Sequence, residues 1–386
     1  MHCMDNAGML WDIFCRVIDN FGDIGVCWRL CAQLAQRGHS VRLWVDDPRA
    51  LEWMAPGATG GEWPGISVHR WDEAEQPESL VTPAEVWVEA FGCNPPETFV
   101  AKRFTPAPGN EPPLAWINLE YLTAEPYAQQ CHGLASPLQT GAAKGFQKQF
   151  FYPGFHATTG GLLREPGLLE RRHAFSESDK LAWLHAMGCH WQGEPLVSLF
   201  CYEPAILAPM LQAWSLGRDT RTLLVTPGRA AACVQAALKI HPPHEQVQQH
   251  GRLQVVFLPC LTQPEFDLLL WSCDLNFVRG EDSLVRALWA GRAFVWHIYP
   301  QEDGAHVAKL EAFLNQIQAP PSLRQAHQAW NGLPDASRLG ESRLLSLDEL
   351  PSWRETTEKA CAGLSQQTDL ASQLLDFVRR IGMKSR

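Results

Sequence analysis

Long apolar runs are missing from this chain of 386 residues. Stretches such as Leu253–Leu258 and Ala293–Ile298 end far short of the ~20 residues a membrane-spanning helix needs. A membrane partner is therefore not expected. Basic charge is also scarce: 32 Lys and Arg stand against 42 Asp and Glu, a formal net charge of −10. That balance excludes a generic polyanion binder, and nucleic acid is not an expected partner. The first ten residues hold His2, Asp5 and Asn6 and no apolar segment of the kind that directs export. The expectation is a cytoplasmic protein whose 12 cysteines are reduced.

The signatures of several reaction classes are absent too. There is no CxxC, HxH or HExxH, and a zinc site needs three or four converging ligands. Cys27 and Cys31 are an i,i+4 pair inside a helical pattern, while Cys131-His132 and Cys189-His190 are isolated, so neither a metal nor a Cys-His dyad is expected. Without GxSxG an α/β-hydrolase is disfavoured, and without GxGxxG there is no dinucleotide fingerprint. What is present is ordinary for a globular protein, with 46% hydrophobic and 19% charged residues, which excludes disorder as the main state. The 16 Trp and 28 Pro stand out, and many of the Trp lie in short apolar runs where they would be core or pocket walls.

Read in order, the chain alternates strand and helix signals. Asp12–Ile18 is rich in β-formers, Val26–Gln36 repeats its apolar residues on one helical face, Gly38 stops that helix, and Val41–Val45 reads as a strand. Glu85–Phe91 and Leu114–Leu119 are further strands, followed by a loop-rich middle and a polar helix at Glu177–Met187. The alternation then restarts: strands at Leu196–Cys201, Arg221–Thr226, Leu253–Leu258, Asp274–Val278 and Ala293–Ile298, with helices from about Ala205 and at Gln263–Trp271, Asp282–Ala290 and His306–Phe313. Two doubly wound α/β domains follow from this pattern and from the usual ~100–200 residues per domain. We place them at residues 1–188 and 189–365, with 366–386 as a terminal amphipathic helix able to cross back to the first.

Ligands of open α/β sheets lie beyond the carboxyl ends of strands, which selects three loops. Asp19–Gly25 carries two carboxylates and two glycines, although Asp23 could simply cap the helix. Arg279-Gly280-Glu281-Asp282-Ser283 follows a strand and opens a helix; its N–H groups, the helix dipole and Arg279 suit a diphosphate, while capping by Asp282 or Ser283 is the plainer reading. Tyr299–Gly304, with Glu302 and Asp303, could orient sugar hydroxyls or be a solvated turn. Tyr202, Gln263 and Cys260 are candidate base-reading groups at strand ends, though each alone is more often structural.

Five strings carry a resemblance: IDNFGDIGVCWRLCAQLA (Ile18–Ala35), WINLEYLTAEPY (Trp116–Tyr127), FFYPGF (Phe150–Phe155), SLFCYE (Ser198–Glu203) and FVRGEDSLVRALWAGRAFVWHIYPQEDGAH (Phe277–His306). Over nearly its whole length the chain resembles the protein-arginine rhamnosyltransferases that modify bacterial elongation factor P. The resemblance implies a GT-B glycosyltransferase of two Rossmann-like domains facing across a cleft, the N-terminal one holding the acceptor protein and the C-terminal one dTDP-β-L-rhamnose. It implies an inverting, metal-independent transfer of rhamnose to one arginine of elongation factor P, which helps ribosomes past polyproline stalls. By motif, Asp23 resembles the general base, Asp19 a supporting carboxylate and Glu281 the second catalytic residue. Asn20, Phe21, Gly22 and Asp23 border the donor, and Tyr202, Gln263, Arg279, Gly280, Glu281, Asp282 and Ser283 match its nucleotide-sugar contacts. Cys260 departs from the pattern, at a position where some relatives have an aromatic residue near the base.

The chemistry agrees with that assignment. A guanidinium has a pKa above ~12 and delocalised lone pairs, so carboxylates must hold it and take a proton before it attacks a sugar. The departing diphosphate needs positive charge on the other side, which a helix N-terminus and an arginine can supply in place of a metal. Two rivals are a GT-B enzyme with a small-molecule or lipid acceptor and a two-lobed protein that binds a nucleotide sugar without consuming it.

Overall fold

The structure, a computed structural model, describes residues 8–18, 21–76, 84–105, 113–241, 245–301, 303–333 and 338–384. These form two compact units, residues 1–165 with 367–386 and residues 166–366. In the first unit the strands are β1 (Leu10–Cys15), β2 (Ser40–Val45), β3 (Ile66–Arg70), β4 (Val86–Ala90), β5 (Ala115–Leu119), β6 (Ala135–Pro137) and β7 (Gln147–Phe151). Their order is β3-β2-β1-β4-β5-β7-β6, parallel except for β6, which runs antiparallel to β7. The second unit holds β8 (Leu196–Leu199), β9 (Arg221–Val225), β10 (Val247–His250), β11 (Leu253–Phe257), β12 (Leu275–Arg279) and β13 (Ala293–His297) in the order β10-β11-β9-β8-β12-β13. Only β10 is antiparallel to its neighbour there.

In each sheet the chain winds outward from a central strand, returns, and winds the other way. The reversal falls between β1 and β4 in the first unit and between β8 and β12 in the second. The crevices at the carboxyl ends of those strand pairs are where open α/β sheets bind ligands.

The apolar patterning becomes two cores. Ile13, Ile24, Cys27, Leu30 and Leu34 pack with Val88, Ile117, Leu370, Leu374 and Val378, so the helix Leu370–Lys384 completes the first unit's core. Arg37 fixes its entry by pairing with Asp369 at 2.9 Å. On the other face of the sheet Phe14, Trp44, Trp71, Trp87, Phe99 and Trp116 form an aromatic layer, each large apolar side chain contributing about 1.5–3 kcal/mol on burial. Asp12 is buried there, held by Arg42 at 2.6 Å and by Trp44 Nε1 at 2.8 Å.

Several boundaries differ from the sequence reading. The first strand starts at Leu10 and stops at Cys15, because the next N–H groups leave the ladder for carboxylates: Val17 donates to Asp46 and Ile18 to Asp23. The first helix spans Gly22–Gln36, four residues ahead of the expected Val26. The units divide at Glu165/Pro166 and not at residue 188. The helices Leu168–Ala174 and Glu177–Ala186 belong with the second unit: Trp183 and Leu184 pack on Leu196 and Leu224, and Arg172 donates to the Trp289 carbonyl at 2.8 Å. The Gly188 region, where the sequence reading places the domain boundary, is the tight end of a helix, with the Cys189 N–H on the Leu184 carbonyl. Among the described residues no helix is long and apolar enough to cross a membrane.

Candidate active site

The first unit brings the NFGDIG motif to the end of β1. Phe21 is the residue that flanks the helix Gly22–Gln36, and Asp23 is the second residue inside it, so Asp23 is not the cap that a bland reading would make it. Its carboxylate accepts the Ile18 N–H at 2.8 Å and is 3% exposed. A carboxylate in the first helical turn also meets the positive end of the helix dipole. The Phe21 ring stands edge-on to Trp53 with centroids 5.1 Å apart, which pins the helix start. Beneath this turn Cys15 and Cys27 are buried against each other, and the bond from Cys27 together with desolvation pushes the Cys15 thiol well up, so Cys15 stays protonated. Asp19 and Asn20 lie outside the described residues.

The second unit gathers the other candidates at the carboxyl ends of β8, β12 and β13. Arg279 ends β12, with its guanidinium carbon 4.7 Å from the centre of the Tyr202 ring and 4.6 Å from that of Phe200. The two rings hold the cation at the carboxyl end of β12, where its charge can act on an incoming anion. Gly280 takes φ 62°, the left-handed conformation that a side-chain-bearing residue resists, and its carbonyl accepts Trp296 Nε1 at 2.7 Å. That turn directs the helix Gly280–Ala290, whose N-terminal N–H groups suit a diphosphate. Ser283 Oγ accepts the Arg279 N–H at 3.0 Å and donates to the Arg279 carbonyl, so its hydroxyl serves the helix start. Glu281 is ion-paired with Lys309, and Asp282 lies half-buried beside it.

Gln263 is buried at the first position of the helix Gln263–Ser272, which Thr262 and Glu265 cap reciprocally. Cys260 is exposed between β11 and that helix. In the third loop Tyr299 reaches Tyr202 with ring centroids 5.5 Å apart, and Glu302 lies outside the described residues.

Sequence reasoning missed two supports of this site. His297, paired in register with Arg279, stands edge-on to the Tyr202 ring with centroids 5.2 Å apart. Burial, and then the Arg279 charge, push its pKa down to about 3, so the ring is neutral. A lone His in an apolar run carries no motif, so no signal was available. Arg286, buried to 1% exposure, makes a two-pronged bond to Asp267 at 2.7 and 2.5 Å and so ties together the helices that carry Gln263 and Ser283. Lying 19 residues apart, the two are linked by no sequence pattern.

A family model described as elongation-factor P (EF-P) rhamnosyltransferase EarP matches residues 11–379. The chain belongs to this family. Proteins named protein-arginine rhamnosyltransferase from Pseudomonas putida and Pseudomonas aeruginosa are each 43% identical to it; the alignments cover 96% and 95% of this chain and 98% of each relative. A solved structure, described as the structural basis for EarP-mediated arginine glycosylation of translation elongation factor EF-P, is 32% identical with a TM-score of 0.64, covering 96% of this chain and 99% of that one. MurG of Acinetobacter baumannii, 13% identical with a TM-score of 0.50 and covering 97% of this chain and 99% of its own, shares the fold alone. This EarP-family chain is thus an enzyme, a glycosyltransferase of the protein-arginine rhamnosyltransferase type with the GT-B fold. Asp23, Tyr202, Gln263 and Arg279–Ser283 all fall inside the matched span.

Proposed function

We propose that this chain moves L-rhamnose from dTDP-β-L-rhamnose to one arginine side chain of elongation factor P, in the cytoplasm, and that the modified factor relieves ribosomes stalled on polyproline. The observation that carries the reading is the family match over residues 11–379. A carboxylate at the end of β1 and an arginine and helix N-terminus at the end of β12 fit its chemistry.

In this reading a guanidinium nitrogen of the acceptor attacks the anomeric carbon as the bond from that carbon to the diphosphate oxygen breaks. The nitrogen's proton passes to Asp23, with Asp19 in support, and dTDP departs with the bonding pair. Inversion follows from attack opposite the leaving group. The Ile18 N–H fixes the orientation of the Asp23 carboxylate before reaction, which is where a general base gains most of its effect. Arg279 and the N–H groups of Gly280–Ser283 neutralise the growing charge on the diphosphate. Glu281 is the second catalytic carboxylate, held by Lys309 until substrate arrives. Tyr202, Gln263 and Asp282 complete the donor contacts, while Phe21 and Gly22, with Asn20, border the sugar. No metal enters the scheme, because Arg279 and the helix supply the positive charge.

The test is intact-mass spectrometry of elongation factor P incubated with this enzyme and dTDP-β-L-rhamnose in EDTA. One added deoxyhexose, mapped to a single arginine, is the expected result. An unmodified factor beside an enzyme that binds the donor would redirect the search to other acceptors.

A further inference from the structure

The ring of Tyr202 joins three strand ends of the second unit. Tyr202 follows β8, and β8 lies between β9 and β12 in the sheet, so side chains from both neighbours converge on it. From β12 comes Arg279, whose guanidinium carbon is 4.7 Å from the ring centre. From the loop after β9 comes Arg229, the first residue of the helix Arg229–Leu238, with its guanidinium carbon 5.7 Å from the same centre. Two cations therefore share one ring, and that ring is buried.

Three observations point to an anion as the guest. Arg229 stands at the positive end of its helix dipole, in a first turn that holds no acidic residue, where a cation is electrostatically disfavoured. Its contact with Glu203 is long, at 3.5 Å, and the two side chains are 45% and 60% exposed, so solvent screens the pair and a better anion can replace the carboxylate. On the β13 side of the same ring His297 is 7% exposed, and its Nδ1 has no hydrogen-bond partner among the described residues. A buried polar atom of that kind is one that a polar ligand satisfies.

A nucleoside diphosphate sugar carries one negative charge on each of its two phosphates. One arginine answers one of them. Two arginines gathered on a single ring answer both, each presenting paired N–H groups to phosphate oxygens.

We propose that Arg229 is a second diphosphate-binding residue of the donor site and that Glu203 is its resting counterion, which the donor displaces. The inference rests on the donor reading above and deepens it, by naming the group that answers the second phosphate charge.

The test is titration calorimetry of full-length Arg229→Met and Glu203→Gln with dTDP and, separately, with thymidine, which has no phosphate. Methionine keeps an apolar stem against Tyr202 and removes the charge. Arg229→Met is expected to raise the Kd for dTDP about tenfold and to leave that for thymidine unchanged. Glu203→Gln should lower the Kd for dTDP several-fold, since it removes the competing carboxylate, again without effect on thymidine. Both variants should melt as the wild type does, because the pair is largely exposed. Wild-type dTDP affinity in Arg229→Met, or an equal loss for both ligands, overturns this inference alone. Binding of dTDP by Glu203→Gln that is no tighter than wild type overturns the counterion role. A wild-type enzyme that does not bind dTDP overturns the donor reading, and this inference falls with it.

Discussion

The backbone N–H of Ile18 donates to the carboxylate of Asp23 across 2.8 Å, so the loop leaving the first strand orients the acid that opens the first helix. Asparagine at 23 keeps an oxygen for that bond and loses only the basic site. Asp23→Asn is therefore expected to fold normally, to bind donor as the wild type does, and to lose about 10²–10⁴-fold in kcat. Single-turnover kinetics beside donor calorimetry measure both, and wild-type turnover in this variant would end the base assignment.

In the proposed reading, Ser283 and Gln263 act on the donor by different routes. Ser283→Ala removes the hydroxyl that ties the start of the helix Gly280–Ala290 to Arg279, so it should cost about 1 kcal/mol of stability as well as donor affinity. Gln263→Ala should weaken donor binding. Titration calorimetry with dTDP measures both, and unchanged affinity in either variant removes that residue from the site.

The Asp267–Arg286 pair is a structural lock beneath the same helices. Arg286→Met strands a buried carboxylate and should destabilise the protein by about 3–5 kcal/mol, whereas the double variant Asp267→Leu/Arg286→Met should recover most of that loss. Chemical denaturation of the set gives the answer, and additive losses would show that the pair does not act as a unit.

Acid should unfold the second unit partly through His327. This ring is fully buried: it accepts the Trp296 N–H at 3.1 Å and bonds the Leu323 carbonyl at 3.0 Å. Desolvation pushes its pKa down to about 4 from 6.5. Between those values the unfolded chain binds a proton that the folded chain does not, so the contribution is full above pH 6.5 and is lost as pH falls toward 4. The loss amounts to about 3 kcal/mol. His297, pushed down to about 3, adds in the same direction. Melting temperatures from pH 7 to 4 should drop less steeply in His327→Gln than in the wild type, and parallel curves would refute the assignment.

Cys260 stands exposed beside the proposed base-reading end of the donor site, while Cys15, Cys27, Cys31, Cys93, Cys189, Cys201, Cys273 and Cys361 are buried. A thiol reagent should label Cys260 first in the native enzyme, and saturating dTDP should slow that reaction several-fold. Labelling unaffected by dTDP would move the base away from Cys260.

The sequence by itself determined the class of fold, because alternating strand and helix periods are local: the helix Gly22–Gln36 and strands such as β12 and β13 declare themselves in a dozen residues. It also carried the motif around Asp23 and the Arg279–Ser283 turn, since a strand-to-helix junction with Gly and acid is written contiguously. Short elements such as β3, β6 and β10 escaped it, because such strands gain their stability from neighbours and not from their own pattern. Only the tertiary structure decided which distant groups meet. Arg286 finds Asp267, His297 finds Tyr202, and Arg229 reaches the ring that Arg279 also meets. It also decided the division at Glu165, since a boundary is set by which core a helix buries its apolar side chains in, and Trp183 and Leu184 bury theirs against β8 and β9.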